Sequence, residues 1–313
     1  MPNLTNVKGG PLALPPPDSI SDCLVATALA AGPAYNTSAL VWPVGRRGGR
    51  SPTRAERRAL KSRRRRWLRK HGRAHGDLAV VGATIENCRR GRLTNRCGHP
   101  ACPECADALQ RLFVDATCRF TSRQPGRTWM TVSIILPGPE PGEQPDFAAA
   151  GELARPILRQ AGVTVGIFGI DASWNEDHRQ ERGEAGRFDS YPCLHLYGLI
   201  PAAGSLAVKA ALKRLIPATE AVPRPVHTKP WDGSPAAIAY ALKGDFQRRQ
   251  TIERFDLNRG RLVRTTRDRD LTVEQKIQAV RALDRAGVTG RMVLVGLRFE
   301  LSETGRLCLV PTT

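Results

Sequence analysis

Four cysteines that fall within eighteen residues, Cys88, Cys97, Cys102 and Cys105, constrain what this chain can fold into more than any other feature. Their pattern, C-x8-C-x4-C-x2-C, suits a structural zinc: thiolates close a tetrahedral shell around the ion, and the turn CPEC supplies two of them from one knuckle. Such a shell lets a short, core-poor segment fold around the metal. His99, inside CGHPACPEC, is an alternative to Cys97 as a ligand, and two unrelated pairs of reduced thiols are the reading without a metal. The other four cysteines, Cys23, Cys118, Cys193 and Cys308, are scattered. With no export signal in view, clustered thiols fit a reducing compartment, so a cytoplasmic location is expected.

Charge points to the partner. Between Arg46 and Arg73, 14 Arg or Lys face only Glu56, which puts a net +13 of the chain's formal +19 into one stretch. Charge concentrated in this way attracts polyphosphate, so nucleic acid is the expected partner and a membrane is not; a solvated basic tail is the alternative. Within it, RAERRALKSRRRRWLRKHGR spaces Leu60, Trp67 and Leu68 as a weak apolar stripe, which predicts a segment that turns helical on a phosphate surface and stays loose alone. Arg89, Arg90, Arg92 and Arg96 extend the phosphate-seeking surface to the knuckle. Residues 1–45, with PLALPPP and little periodicity, read as a disordered arm, and the apolar run from Cys23 to Gly32 is too short to span a bilayer.

At 313 residues and 41% hydrophobic, the chain can fill one sizeable core and a small accessory module. Periodicity predicts a helix over 106–123, a strand from Thr128, a helix from Asp146 bent at Pro156, a strand from Val163, a polar hairpin, a strand over 191–200, a helix from Leu206 and a short strand in RPVHTKP. Ser234 followed by Pro235 is a helix start, an N-cap with proline in the first turn, and the helix it opens carries Tyr240. The order β-α-β-β-α-β-α is that of a split β-α-β arrangement, an α+β fold with an antiparallel sheet, helices on one face and the other face open for a site. A basic linker after Asp256, a helix over 273–286 and a hairpin in RMVLVGLRFELSETGRLCLV complete the chain. The expected divisions are 1–45, an arm; 46–76, a basic nucleic-acid-binding segment; 86–123, the knuckle and its helix; 124–250, the catalytic core; and 251–313, a C-terminal helix and hairpin.

In the strand YPCLHLYGLIP, Cys193 and His195 are two residues apart and project from one face, where two soft or borderline donors can hold a metal. SPAAIAYALKGDF then brings a tyrosine on a short helix. A metal pair on a strand with a tyrosine on a later helix is a way to cut nucleic acid. The plainer alternatives are a buried apolar Cys193, a satisfied sheet histidine at His195, and a core tyrosine at Tyr240 with its hydroxyl at the surface.

With these elements in place, residues from about Cys88 to Phe246 resemble the rolling-circle replication initiators of small plasmids, members of the HUH endonuclease superfamily. The resemblance is carried by the cysteine cluster, the strand WMTVSIILP, the strand YPCLHLYGLI and the segment IAYALKGDF. It implies a ferredoxin-like HUH core and DNA nicking by phosphoryl transfer: the tyrosine hydroxyl attacks a backbone phosphodiester, leaving a 5′-phosphotyrosine and a free 3′-hydroxyl for a polymerase to extend. Tyr240 is then the nucleophile, helped because a phenol titrating near 10 is a poor one at neutral pH. Lys243 would steady the developing phenolate or bind the phosphate. His195, Cys193 and, by the resemblance, Asp171 would hold a catalytic magnesium or manganese ion. The sequence departs from the family at Cys193, where relatives have a histidine; a thiolate favours zinc over those harder ions.

The implied partners are origin DNA, single-stranded or as a hairpin, with the host helicase and polymerase. Trp129, Trp174 and Trp231 are the expected stacking residues, and Tyr191, Tyr197 and His227 lie on or near the site. Three other functions fit parts of the pattern: a non-catalytic zinc-containing DNA-binding protein, which would bind and not cut; a single-strand transposase with the same chemistry; and a ribosome-associated or RNA-binding zinc protein, which leaves the later strand and tyrosine helix unexplained.

Overall fold

A computed structural model of the chain describes residues 25, 54–88, 96–138, 143–177, 190–219, 222–244 and 246–312. Of the expected N-terminal arm only Val25 is described, and it is fully buried in a hydrophobic core rather than loose; the rest of that arm, the polar hairpin over 178–189 and Arg89, Arg90 and Arg92 lie outside the described residues. Among those described, the chain is α+β, with seven helices and nine strands. The helices are α1 (Arg54–Gly72), α2 (Gly76–Glu86), α3 (Pro103–Ser122), α4 (Phe147–Gln160), α5 (Ser205–Leu215), α6 (Pro235–Tyr240) and α7 (Val273–Ala286). The strands are β1 (Trp129–Ile135), β2 (Gly166–Asp177), β3 (Ser190–Pro201), β4 (Val226–Pro230), β5 (Gln247–Asp256), β6 (Arg261–Arg269), β7 (Met292–Val295), β8 (Leu297–Leu301) and β9 (Leu307–Pro311). None of these helices is long and apolar enough to cross a membrane.

Seven strands form one sheet in the order β4-β1-β3-β2-β5-β6, with β7 also paired to β2; β8 and β9 form a separate two-stranded sheet. All pairings are antiparallel except β2 with β5. β3 lies between β1 and β2, which α4 joins, and β1 lies between β3 and β4, which α5 joins. Alternation divides the side chains between two faces. Even-numbered residues such as Val132, Phe168, Ile170, Leu194 and Leu196 meet α4, α5 and α7 in the larger core, where full burial of a Phe or Leu stabilises by about 1.5–3 kcal/mol. Odd-numbered residues such as Trp129, Ile167 and Leu199 meet α3, α6 and the β8–β9 pair in a second core.

Local signals explain most of the helix starts. The Asp146 side chain accepts a hydrogen bond from the Ala149 N–H at 3.0 Å, and Thr272 and Gln275 form a reciprocal capping box on α7. Pro156 lies inside α4, which continues through it to Gln160.

Four expectations need correction. Helices do not keep to one face of the sheet, because α3 and α6 cover part of the other. The part of the basic stretch from Arg54 to Gly72 is a 19-residue helix rather than loose, with Leu68 fully buried in the larger core as its apolar anchor. The linker after Asp256 is instead the outer half of the β5–β6 hairpin. The C-terminal hairpin breaks at Gly296, where φ is +63° and a Cβ would lie 2.1 Å from the Thr164 carbonyl oxygen, so β7 joins the main sheet while β8 pairs with β9.

Candidate functional site

The cysteines converge. Sγ of Cys88 lies 3.6 Å from that of Cys105 and 3.8 Å from that of Cys102, and Cys97 and Cys105 are 3.6 Å apart. All four sulfurs fall within 4.8 Å of one another, a group able to hold a metal ion such as zinc. Bonds of about 2.3 Å to a tetrahedral ion require sulfurs about 3.8 Å apart, which these three pairs match. Hydrogen bonding from Cys102, then Cys105, holds the Cys88 thiol well below its ordinary range. Lys61 bonds the Cys88 carbonyl and pairs with Glu104 at 3.1 Å, placing a cation beside the cysteine sulfurs. His99 is not a fifth donor or a substitute for Cys97. Its Nδ1 accepts from the Ala101 N–H at 3.0 Å and its Nε2 meets Asp284 at 2.9 Å, so both nitrogens are engaged in fixing the knuckle to α7.

The second constellation lies on the odd-numbered face of the sheet. Strand register sets Asp171 directly across from His195, Ser173 across from Cys193, and Gly169 across from Tyr197. Gly169 is required there: a Cβ would lie 2.8 Å from both the carbonyl oxygen and the Cβ of Ala241. The chain carrying Tyr240 therefore rests on bare β2 backbone. Ser234 caps α6 by accepting from the Ala236 N–H at 3.3 Å, as its sequence predicts, but the helix ends at Tyr240, and Lys243 lies in the turn that follows. From α3, buried Gln110 donates to the Ala239 carbonyl at 2.6 Å and holds that turn from above.

Tyr240 is 38% exposed, with its hydroxyl 3.1 Å from an Arg249 guanidinium nitrogen and 3.4 Å from Lys243 Nζ. Its ring stands edge-on to Tyr197 at 5.4 Å. Lys243 also pairs with Asp171 Oδ2 at 2.6 Å, while Asp171 Oδ1 is buried with no hydrogen-bond partner. Cys193 Sγ lies 3.3 Å from His195 Nε2. Burial pushes the His195 pKa down to about 4, opposed by Asp171, and pushes the Cys193 thiol up to about 11. At neutral pH the imidazole is therefore neutral and the thiol keeps its proton.

The structure thus brings Tyr240, Lys243, Asp171, Cys193 and His195 to one face. Among the described residues, however, the four cysteines are the only group of three or more donors that converge as a metal site. His227 is exposed on β4 across from Ser133, farther along the same face. Tyr191 lies across from Asn175. Trp129 and Trp174 are buried at 5% and 1% exposure and are not available for stacking on bases; both fill core, and the Trp231 indole donates to the Ser234 carbonyl.

Sequence reasoning missed Arg291. It is buried, donates to the carbonyls of Ile170 at 2.8 Å and Lys243 at 3.1 Å, and sits over the rings of Phe147 and Phe246. Burial lowers its pKa to about 10, opposed by Asp171. By tying the Lys243 carbonyl to β2, Arg291 fixes the turn that aims Lys243 at Asp171. An arginine leading into the apolar run MVLV was the available signal.

Comparison of the chain with family models, with curated proteins and with solved structures returns no match.

Proposed function

We propose that the chain is a metal-dependent DNA nickase and strand transferase that initiates rolling-circle replication of a plasmid or phage, with Tyr240 as its nucleophile. The observation that carries this reading is the half-exposed Tyr240 hydroxyl held by two cations, Arg249 and Lys243, on the face that also bears His195 and Asp171. Two cations beside the hydroxyl would draw in a phosphodiester and stabilise the charge that develops on its oxygens. In the proposed step the Tyr240 oxygen bonds to phosphorus as its proton leaves. The bond from phosphorus to the 3′-oxygen breaks, and that oxygen takes up a proton to become the 3′-hydroxyl. The strand order β4-β1-β3-β2, with helical crossovers on both sides of the β1–β3 pair, supports the finer reading of a split β-α-β, ferredoxin-like HUH core.

His195, Asp171 and Cys193 would hold the catalytic ion. The buried, unpartnered Oδ1 of Asp171 is the atom that best fits a cation, and the neutral His195 ring is in the form that ligates. When bound, magnesium or manganese would act as a Lewis acid on the scissile phosphate. Cys193 would have to give up its proton to join the set, which favours a softer ion. The four-cysteine centre is proposed to hold zinc in a structural role.

The reading is tested by incubating the protein with supercoiled DNA that carries its own replicon's origin, with manganese or magnesium, and resolving covalent adducts after detergent. An adduct that Tyr240→Phe abolishes is expected. The ion pair between Lys243 and Asp171 occupies one ligand oxygen and favours the second reading, a DNA-binding protein that does not cut. DNA that is retarded but uncut with every metal would establish that reading instead.

A further inference from the structure

Among the described residues, the β5–β6 hairpin continues past the end of β2 beside the candidate site. β5 pairs with β2 from Gln247 to Thr251, and from Ile252 to Asp256 its partner among the described residues is β6 alone. Five paired residues at about 3.4 Å each make a two-stranded ribbon roughly 17 Å long beyond the described part of β2. Residues 247–269 hold eight arginines against three acidic residues, and Arg259, Arg261 and Arg267 are exposed. Its tip is also apolar: Phe255, Leu257 and Leu262 are 57%, 87% and 65% exposed.

Register sorts these residues. Phe255 lies directly across from Leu262, on the same face as Arg249, whose guanidinium touches Tyr240. Gln250 across from Arg267, and Asp256 across from Arg261, lie on the opposite face. A monomer gains nothing by exposing a Phe–Leu pair on a basic arm, so the arrangement calls for a partner that is anionic at its borders and has apolar features within. Duplex DNA meets both demands. Its major groove is about 12 Å wide and admits a two-stranded ribbon, with phosphates on both walls and thymine methyl groups on the floor.

We propose that the β5–β6 ribbon is a duplex-reading arm that enters the major groove, with Arg259, Arg261 and Arg267 on phosphates and the Phe255–Leu262 pair against base edges. The inference rests on the proposed function for its choice of DNA and adds where duplex is held relative to Tyr240. Because Arg249 belongs to the base of the ribbon, the arm and the tyrosine hydroxyl are linked through one strand.

The test uses the full chain, a mixed-sequence 30-base-pair duplex and its single strand, with anisotropy read across salt. Arg259→Ala/Arg261→Ala/Arg267→Ala should reduce the slope of log affinity against log salt by about 2.7, at about 0.9 per phosphate contact. Raising salt from 50 to 200 mM then weakens the native chain about 40-fold more than the variant. Binding should also lower dimethyl sulfate modification at guanine N7, in the major groove. An unchanged slope, binding to single strand alone, or protection confined to adenine N3 in the minor groove would overturn the proposal. So would a dimer that Phe255→Ala/Leu262→Ala abolishes while duplex binding persists, which would make the tip a contact between copies. The covalent adduct is read separately, with the native chain on origin DNA and manganese or magnesium. A ribbon-dependent slope without any covalent adduct would therefore sink the nickase and leave the arm standing.

Discussion

Lys243→Met should destabilise the protein far more than an ordinary surface lysine would. Asp171 is 1% exposed and Lys243 Nζ lies 2.6 Å from its Oδ2. Removing one partner of a buried pair strands the other charge and costs about 3–5 kcal/mol. Arg249 and Arg291 both feel the Asp171 charge, which sets the expectation at the low end, about 3 kcal/mol. At about 2–4 °C per kcal/mol for a large domain, the melting temperature falls by roughly 6–12 °C. Asp171→Asn/Lys243→Met, which removes both charges, should recover most of the loss. The assay is thermal melting of the three proteins at about pH 7.5 with no divalent metal added. A Lys243→Met protein that melts within about 2 °C of the native one, or a double variant that recovers nothing, would refute the reasoning.

The purified chain should carry about one zinc per molecule by elemental analysis, and Cys102→Ser or Cys105→Ser should reduce it to near zero and lower the melting temperature, because metal binding and folding are linked at such sites. With no divalent metal added, stability should fall as pH drops from about 6.5 toward 4, by up to about 3 kcal/mol, because the folded His195 pKa lies near 4 and the unfolded chain takes up the proton first. His195→Gln should flatten that part of the pH–stability curve. Arg249→Ala, which removes one of the two cations at the Tyr240 hydroxyl, should slow adduct formation on the order of 100-fold, with Arg249→Lys recovering part of it.

What could be read from the sequence was whatever local chemistry decides. Apolar periodicity marked α4, a cap marked α6, alternation marked β1 to β3, and the two-residue period alone put Cys193, His195 and Tyr197 on one face. α2 escaped notice because GDLAVVGATIE is apolar nearly all round, and its N-cap, His75, makes no side-chain capping bond. β6 read as part of a basic linker because RLVRTTRDR shows no sustained apolar alternation. The contacts of Arg291 with Ile170 and Lys243 are 121 and 48 residues apart in sequence, and no periodicity encodes such a pairing.

The same limit hid how the two constellations are joined. Read linearly, the cysteine knuckle and the tyrosine segment are separate motifs more than a hundred residues apart. In the fold a single helix serves both. Cys102 caps α3 and Cys105 lies in its first turn; a turn later Gln110 holds the Ala239 carbonyl, next to Tyr240, and a Cβ on Gly244 would lie 3.3 Å from Ala106. A metal at the cysteines would fix the start of a helix whose neighbouring turns pack on the tyrosine-bearing loop, and a packed helix transmits displacement along its length instead of absorbing it. A metal-loaded cysteine cluster would then do more than fold a core-poor knuckle: it would set one wall of the face on which the Tyr240 hydroxyl meets Arg249 and Lys243.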